Sequence, residues 1–351
     1  MMTFELIDQL QNLLINNELV FIKENIKSLI TRISTLKDRN DDLIINSNGD
    51  QNTISRDFLL GELNQIYETR TIERTRYYVN RLIKSLSQRK ECKINDINLN
   101  RWKEYQDLLT DSLWILDKRD RAGVHNAGYW GNFIPQIPNQ FLRRYTKKGE
   151  WVLDPFLGSG TTLIECKRLG RNGIGIELQN EAVQLAKKIT GKEKNPFKVK
   201  SRIINGDSTE LNFVTQLKRA GCTSIQFLIL HPPYWDIIKF SNKKKDLSNA
   251  KSIEEFLKMF GKVLDNTLPV LDEGRYAAVI IGDKYGSGEW IPLGFYTMQE
   301  MIKRGCKLKS TIIKNFDHTT AKRNQKELWR YRALAGGFYI FKHEYIFLFQ
   351  K

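Results

Sequence analysis

The stretch Trp151–Thr162 constrains the fold more than any other part of the chain, because it reads as a strand, a glycine turn and a helix start. Its opening Trp-Val-Leu-Asp is typical of a buried strand that ends in an acidic residue. Gly158 and Gly160 let the backbone pass close to a ligand, since neither carries a Cβ. Thr161 and Thr162 are suited to begin a helix. The glycine spacing fits neither a dinucleotide fingerprint nor a P-loop. The stretch predicts a cofactor loop of a doubly wound sheet, with a purely structural turn as the alternative.

A second stretch joins an apolar strand to a proline corner. Ile225–Leu230 is typical of a buried strand, and His-Pro-Pro-Tyr-Trp follows directly at 231–235. Pro232 and Pro233 fix two φ angles and remove two backbone donors, so the corner is rigid and its carbonyl groups face outward. A polar residue, two prolines and an aromatic ring at a strand end predict a catalytic corner. A strand-terminating turn is the alternative.

Together, Asp-Pro-Phe-Leu-Gly-Ser-Gly-Thr-Thr at 154–162 and His-Pro-Pro-Tyr-Trp at 231–235 resemble the motifs of DNA amino-methyltransferases. That family uses S-adenosylmethionine to methylate N6 of adenine or N4 of cytosine. The resemblance covers roughly residues 129–351 and implies an α/β fold with a Rossmann-like, doubly wound, mostly parallel sheet of the class I methyltransferase type. His231 departs from the family pattern, which has Asp, Asn or Ser at this position. The cofactor loop precedes the catalytic corner, whereas many relatives have the reverse order, which indicates a circular permutation.

The resemblance implies roles for the catalytic corner. Its expected catalytic residues are His231, Pro232, Pro233 and Tyr234. The His231 side chain and the Pro232 carbonyl would accept the amino protons of the target base. Tyr234 would stack on that base once it is flipped out of the duplex. Only a neutral imidazole offers an acceptor nitrogen, so activity is predicted to fall below about pH 6.5.

Acidic residues at further strand ends complete the expected cofactor site. Glu177 ends a second predicted strand, where an acidic side chain binds ribose hydroxyls in such sheets. Asp207 follows a third and is placed either to reach the adenine amino group or to cap the next helix. Trp130–Pro138 either packs against the cofactor or forms a proline-rich linker. The residues expected to bind S-adenosylmethionine are Asp154, Pro155, Phe156, Gly158, Gly160, Thr161, Thr162, Glu177 and Asp207.

Residues 1–110 carry no catalytic motif and are predicted to form a mostly helical accessory region, ahead of a methyltransferase domain at 111–351. Apolar residues recur at helical spacing over 4–45 and 55–86, on either side of a polar loop at 46–52. The region would serve DNA recognition, dimerisation or both. The second helical stretch has a basic half that faces either phosphate or solvent, with Arg70, Arg74, Arg76, Arg81 and Lys84.

The formal net charge of +16 favours a polyanionic partner, and nucleic acid above all. Two basic segments are candidate DNA contacts, and a solvated surface is the alternative for the first of them. One is a predicted mobile loop with Lys243, Lys244 and Lys245. The other lies between Asp317 and Gly337 and carries Arg323 and Arg330.

Other classes of protein are disfavoured. No run of about 18 apolar residues is present, so no transmembrane helix is expected. The N-terminus lacks the pattern of a secretory signal, which favours a cytoplasmic protein. The four cysteines are scattered and none adjoins a proline, which argues against zinc, disulfides and a cytosine-C5 nucleophile. The four histidines form no ligand-spaced cluster, so no metal is expected.

The favoured function is a site-specific DNA methyltransferase acting on cytosine N4 or adenine N6, in a restriction-modification or orphan system. The expected partners are double-stranded DNA, a cognate restriction endonuclease and a second copy of the chain. One alternative is an RNA methyltransferase acting on guanine N2, since such enzymes also carry Pro-Pro-Tyr corners. Another is a catalytically inactive DNA-binding subunit, which His231 favours and the intact cofactor loop disfavours.

Overall fold

The computed structural model describes residues 6–35, 42–47, 50–125, 128–129, 131–315 and 326–351. The chain divides into two compact units. One comprises Met1–Lys93 with Ile97–Leu108, and the other comprises Ile94–Asp96 with Leu109–Lys351. None of the described helices has both the length and the apolar character needed to cross a membrane.

The smaller unit is mainly helical, as its apolar periodicity predicts. Ser55 and Thr71 accept hydrogen bonds from backbone N–H groups and so cap the third and fourth helices. Leucine and isoleucine side chains spaced three or four residues apart form the unit's core. The helices are α1 (Leu6–Ile15), α2 (Leu19–Ser34), α3 (Arg56–Tyr67) and α4 (Ile72–Ser87).

Paired strands occupy residues 46–47 and 50–52 of the polar loop predicted at 46–52, so that prediction is wrong for these residues. β1 (Asp42–Ser47) pairs antiparallel with β2 (Asp50–Ser55). Leu43 and Ile54 face each other across the hairpin and are both buried in the core of the unit. Burial of this cross-strand pair stabilises strands in a segment whose many Asn and Asp residues favour a loop.

The larger unit is built on one eight-stranded sheet of described residues, in the order β3-β11-β12-β8-β7-β4-β5-β6. β12 runs antiparallel to both of its neighbours, and the remaining pairings are parallel. The predicted doubly wound, mostly parallel sheet is therefore confirmed. The strands are β3 (Leu113–Trp114), β4 (Trp151–Asp154), β5 (Asn172–Glu177), β6 (Ser201–Asn205), β7 (Ile225–Leu230), β8 (Leu271–Ile281), a separate hairpin of β9 (Lys284–Gly286) and β10 (Glu289–Ile291), β11 (Lys307–Asn315) and β12 (His343–Gln350).

Helices cover both faces of this sheet, and β7 shows why. Leu228 belongs to the same buried cluster as Phe256 of one helix, whereas the adjacent Phe227 points to the opposite face, where its ring stacks on that of Phe141 of another helix. A strand buried on both faces carries a continuous apolar run, as Ile225–Leu230 does. The helices are α5 (Gln136–Tyr145), α6 (Thr161–Leu169), α7 (Asn180–Lys192), α8 (Phe213–Ala220), α9 (Ile253–Thr267), α10 (Leu293–Lys303) and α11 (Lys326–Gly336).

The segment predicted either to pack on the cofactor or to link two elements leads into α5, and its packing on a cofactor stays a prediction. Pro135 is the N-cap residue of this helix, and Pro138 lies in its first turn. Proline is tolerated there because the first backbone N–H groups of a helix have no partner within it. Ile137 is fully buried. The linker alternative is therefore wrong for residues 136–138, and Trp130 lies outside the described residues.

Candidate active site

The two sequence motifs meet at neighbouring strand ends. β4 and β7 are parallel partners, with Leu153 opposite Leu228. From β4 the chain proceeds to β5 and β6 on one side, whereas β7 is followed by β8 on the other. Such a reversal of strand order opens a crevice at the carboxyl ends of the strands, which is where ligands bind in open α/β sheets. The glycine loop after β4 and the proline corner after β7 therefore border one crevice.

Asp154 holds the glycine loop together from within. Its Oδ1 accepts a hydrogen bond from the Phe156 backbone N–H at 2.9 Å, and its Oδ2 accepts one from Thr162 Oγ1 at 2.6 Å. Burial raises the pKa of Asp154 to about 7. Nearby, the Pro155 carbonyl accepts a hydrogen bond from Ser208 at 2.7 Å. Asp154 thus has its contacts within the loop, and its direct contact with a cofactor stays a prediction.

The two glycines of the loop both have positive φ, +55° for Gly158 and +95° for Gly160. A Cβ on Gly158 would lie 3.0 Å from Cε1 of Tyr129. Thr161, at the start of α6, donates its hydroxyl to Oδ1 of Asn132. Sequence reasoning missed Tyr129 and Asn132 as individual contacts of the loop, although they flank or lie within the segment 130–138 that it singled out.

Glu177 ties the end of β5 to the glycine loop. Its Oε2 accepts a hydrogen bond from the Gly158 N–H at 2.9 Å, and its Oε1 accepts one from the Gln179 N–H at 2.8 Å. The residue is 9% exposed, and burial raises the pKa of its carboxyl group. A carboxylate has about four acceptor positions, so capacity remains for a further donor.

Asp207 shapes the turn after β6 with one oxygen and leaves the other unsatisfied. Oδ1 accepts hydrogen bonds from the N–H of Thr209 at 2.9 Å and from its hydroxyl at 2.8 Å. Oδ2 is buried and has no hydrogen-bond partner among the described residues, although Lys245 Nζ lies 3.7 Å away. Asn212 caps α8, so the alternative of a helix cap at Asp207 is wrong.

His231 begins the proline corner in a partly buried position. Its ring meets the Phe133 ring edge to face, at 4.9 Å between centroids. Burial lowers the pKa of His231 to about 4, with Lys314 acting in the same direction and Glu344 opposing it. The imidazole is therefore neutral at ordinary pH. The prediction that its charge changes near pH 6.5 is wrong, because it assumed a solvated ring.

Tyr234 is anchored by its hydroxyl, which donates a hydrogen bond to Oε2 of Glu344 at 2.6 Å. Oε1 of Glu344 pairs with Nζ of Lys314 at 3.0 Å. One edge of the Tyr234 ring lies over Gly282, where a Cβ would come within 2.9 Å of Cε2. Stacking of Tyr234 on a base stays a prediction. The signal for Glu344 in the sequence was the segment His-Glu-Tyr at 343–345.

The lysine loop is turned toward the ends of β5 and β6. Lys243 Nζ donates to the Leu178 carbonyl at 2.5 Å. Lys245 pairs with Glu210 and approaches Asp207. Lys244 is exposed. Lys243 and Lys245 thus contact groups that follow β5 and β6, because carbonyl and carboxylate oxygens lie close together at these strand ends.

The lysine loop also contains hydrogen bonds of its own, and its predicted mobility stays a prediction. The buried Asp246 accepts hydrogen bonds from the hydroxyls of Ser241 and Ser248, both at 2.7 Å. Trp235 has a positive φ of +50°, and its Nε1 donates to the Ala250 carbonyl at 2.8 Å. The loop is therefore tied both to itself and to the proline corner.

The predicted DNA-contacting arginines fall into different groups. Arg330 is exposed on α11, whereas Arg323 lies outside the described residues. In the smaller unit, Arg81 binds the buried Glu62 at 2.5 Å, and Arg76 donates to the Leu14 carbonyl at 3.2 Å. These two arginines bind the unit itself, which contradicts the interpretation of the whole basic half of α4 as a phosphate-facing surface.

Strand order and motif positions define the class of the larger unit. The larger unit has a central parallel sheet with one antiparallel strand next to β8. A glycine loop follows β4, an acidic residue ends β5 and a proline corner follows β7. These are the features of a class I methyltransferase fold, which binds S-adenosylmethionine.

The family follows from comparison with known proteins. A family profile described as DNA methylase matches residues 2–188 and 225–351. The chain therefore belongs to the DNA methylase family, as its motifs predict. The unmatched interval spans β6 and α8.

Individual relatives match over short segments. Type II methyltransferase M.MjaII of Methanocaldococcus jannaschii is 43% identical over 68 residues, which are 18% of this chain and 12% of that protein. Type II methyltransferase M2.DpnII of Streptococcus pneumoniae is 40% identical over 95 residues, which are 26% of this chain and 32% of that protein. The matches thus span less than a third of the length of either relative.

Solved structures are similar only at a distance. TrmN from Thermus thermophilus has a TM-score of 0.41 and 15% identity, over 62% of this chain and 49% of that one. A methyltransferase from Pyrococcus furiosus has a TM-score of 0.39 and 15% identity, over 65% of this chain and 87% of that one. At these values the assignment of the fold rests on the sheet order itself.

Proposed function

We propose that the chain methylates DNA on an exocyclic amino group, cytosine N4 or adenine N6, of a base flipped out of the duplex. The observation that carries the proposal is a neutral His231, held in a proline corner at the strand end beside the glycine loop. Membership of the DNA methylase family supports DNA as the substrate.

The described residues suit S-adenosylmethionine. Oδ2 of Asp207 is a buried acceptor without a hydrogen-bond partner, and such an atom is expected to meet a donor from a ligand. An adenine amino group is a donor of this kind. Glu177 has acceptor capacity left for a ribose hydroxyl. When bound, S-adenosylmethionine supplies an electrophilic methyl group.

The proline corner suits the activation of an amino group. The nitrogen of such a group is a weak nucleophile because its lone pair is delocalised into the base. Acceptors for its two protons favour the tetrahedral geometry that frees the lone pair. His231 accepts one of these hydrogen bonds and the Pro232 carbonyl accepts the other, while Tyr234 holds the ring of the base. With a pKa of about 4, His231 serves as a hydrogen-bond acceptor, and the released proton passes to solvent.

Contacts with DNA are assigned to basic residues on the surface. Lys244 and Arg330 are exposed, as are Arg70 and Arg74 of the smaller unit. Lysine and arginine there would neutralise backbone phosphates without reading the sequence. Residues 1–110 are proposed as an accessory region for DNA recognition or dimerisation. A cognate endonuclease, a homodimer and a contact by Arg323 stay predictions.

The decisive experiment supplies tritiated S-adenosylmethionine with unmethylated genomic DNA, and in parallel with total RNA, followed by digestion to nucleosides. We expect label in N4-methylcytosine or N6-methyladenine, and the labelled nucleoside identifies the base. Label in RNA alone would replace the proposal with an RNA methyltransferase. No label in either, with normal cofactor binding by calorimetry, would indicate an inactive DNA-binding subunit. The matched control is His231→Ala, which should bind the cofactor and transfer nothing.

A further inference from the structure

A row of polar groups leads from β11 to the proline corner. Lys314 of β11 and Glu344 of β12 are register partners, and their side chains pair at 3.0 Å. Both are buried, at 6% and 4% exposure. Glu344 receives the Tyr234 hydroxyl at 2.6 Å, and the same hydroxyl lies 3.3 Å from Nε2 of His231. The row thus ends on one particular ring nitrogen.

The direction of each hydrogen bond in this row follows from the groups themselves. A lysine ammonium group can only donate, so it holds Glu344 as an acceptor. A carboxylate in such a pair has no proton to give, and the Tyr234 hydroxyl must therefore donate to it. That hydroxyl has a single proton, so toward His231 its oxygen can only accept. Burial and Glu344 raise the pKa of Tyr234 well above its ordinary value, which keeps the proton in place.

Resting on the function proposed above, we infer that Glu344 and Lys314 are positioning residues that set the tautomer of His231 through Tyr234. Nε2 carries the proton, and Nδ1 is the acceptor for the amino group of the target base. Among the described residues, the His231 ring forms its hydrogen bond through Nε2. In the part of the chain that the structure describes, the charged and titratable groups that face the ring are Tyr234, Glu344 and Lys314.

The need to select one tautomer is specific to histidine at the first position of the proline corner. An Asp, Asn or Ser side chain carries an oxygen that accepts without help. A neutral imidazole has one acceptor nitrogen, and in the wrong tautomer it presents an N–H to the N–H of the amino group. A hydrogen-bond partner on the second nitrogen is the usual means of selecting a tautomer. The row of groups from Lys314 to Tyr234 therefore makes a histidine usable here.

The first test measures the ring nitrogens directly. Protein with ¹⁵N-labelled histidine is examined by NMR at pH 8, and His231→Asn identifies the signals that belong to position 231. We expect a protonated Nε2 and an unprotonated Nδ1. A protonated Nδ1 in the unmodified protein would overturn the inference. This readout does not depend on methyl transfer.

The second test uses Glu344→Gln to reverse the direction of the hydrogen bonds between residue 344, Tyr234 and His231. Lys314 will hold the amide oxygen, so the amide NH₂ turns to Tyr234, whose proton is then free to be donated to Nε2. The ring should shift to the Nδ1–H form, with a loss of roughly 10²-fold in kcat, the lower range for losing one preorganised hydrogen bond in the transition state. In a His231→Asn background the same change should alter kcat by no more than about twofold, the scatter of independent sites.

Equal losses in the two backgrounds, or a His231 ring that keeps its protonation pattern in Glu344→Gln, would overturn the inference in favour of a structural role. If that variant does not fold, Tyr234→Phe replaces it, because this change leaves the Lys314–Glu344 pair intact. Without the Tyr234 hydroxyl, both tautomers of His231 should be seen. A protein with Nε2 protonated that methylates no DNA refutes the proposed function alone. One that methylates DNA with Nδ1 protonated refutes the positioning role alone.

Discussion

Gly160 is subject to two separate constraints that exclude a side chain. Its φ of +95° lies in the left-handed region, and a Cβ would lie 2.7 Å from Cγ2 of Thr190 in α7. Thr190 is buried, and its hydroxyl donates to the Ala186 carbonyl at 2.7 Å, so the side chain cannot turn away without losing that bond. Gly160→Ala should therefore displace α7 from the glycine loop.

The expected cost of Gly160→Ala has two parts. A left-handed conformation costs a residue with a Cβ roughly 1–2 kcal/mol. Overpacking against Thr190 costs roughly another 1–3 kcal/mol. The free energy of unfolding of the larger unit should thus fall by about 2–5 kcal/mol. Displacement of the loop also moves the Gly158 N–H away from Glu177, so the Kd for S-adenosylmethionine should rise at least about tenfold, equivalent to 1.4 kcal/mol.

Thr190→Ser separates the two parts, because it removes the clashing methyl group and keeps the hydroxyl. Alone, it should cost about 1 kcal/mol for the lost methyl group. Combined with Gly160→Ala, it should recover the overpacking part, so a double-mutant cycle should give a coupling of roughly 1–3 kcal/mol. Urea unfolding provides the stabilities, and calorimetry provides the Kd. Additive effects of the two substitutions would refute the proposed contact between the loop and α7. So would a Gly160→Ala variant that leaves both the free energy of unfolding and the Kd unchanged.

Three further predictions concern the cofactor and the proline corner. Glu177→Ala should raise the Kd for S-adenosylmethionine by about tenfold, for one hydrogen bond of roughly 1.5 kcal/mol, and an unchanged Kd in calorimetry would exclude a ribose contact. Asp207→Asn places an amide donor where an acceptor is expected, so it should weaken cofactor binding by about tenfold while Thr209 keeps its partner; equal binding would exclude the adenine contact. Since burial lowers the pKa of His231 to about 4 and only the neutral ring accepts, kcat should stay level from pH 8 to about pH 5 and fall below it. His231→Asn should lack that fall, and a decline centred near pH 6.5 in the unmodified protein would show that the ring is solvated.

Much of the site is readable from sequence because each motif is local. In the cofactor loop, the strand, the turn and the helix start follow one another within Trp151–Thr162, and the structure places them there. The same holds for Ile225–Leu230 and the prolines after it. Periodicity also located the helices of the smaller unit. It failed at 42–55, where burial of Leu43 against Ile54 stabilises a hairpin that local composition disfavours.

The sequence by itself determined the class of the protein, because an apolar strand, a glycine turn and a proline corner each depend on residues next to one another. Only the tertiary structure decided the electrostatics of the corner. Tyr234 meets Glu344 110 positions further along the chain, and the pKa of His231 depends on how many groups desolvate it. The directions of Lys243 and Lys245 likewise depend on oxygens at distant strand ends. Contacts of this kind arise when the sheet aligns its strands, and no spacing in the sequence records them.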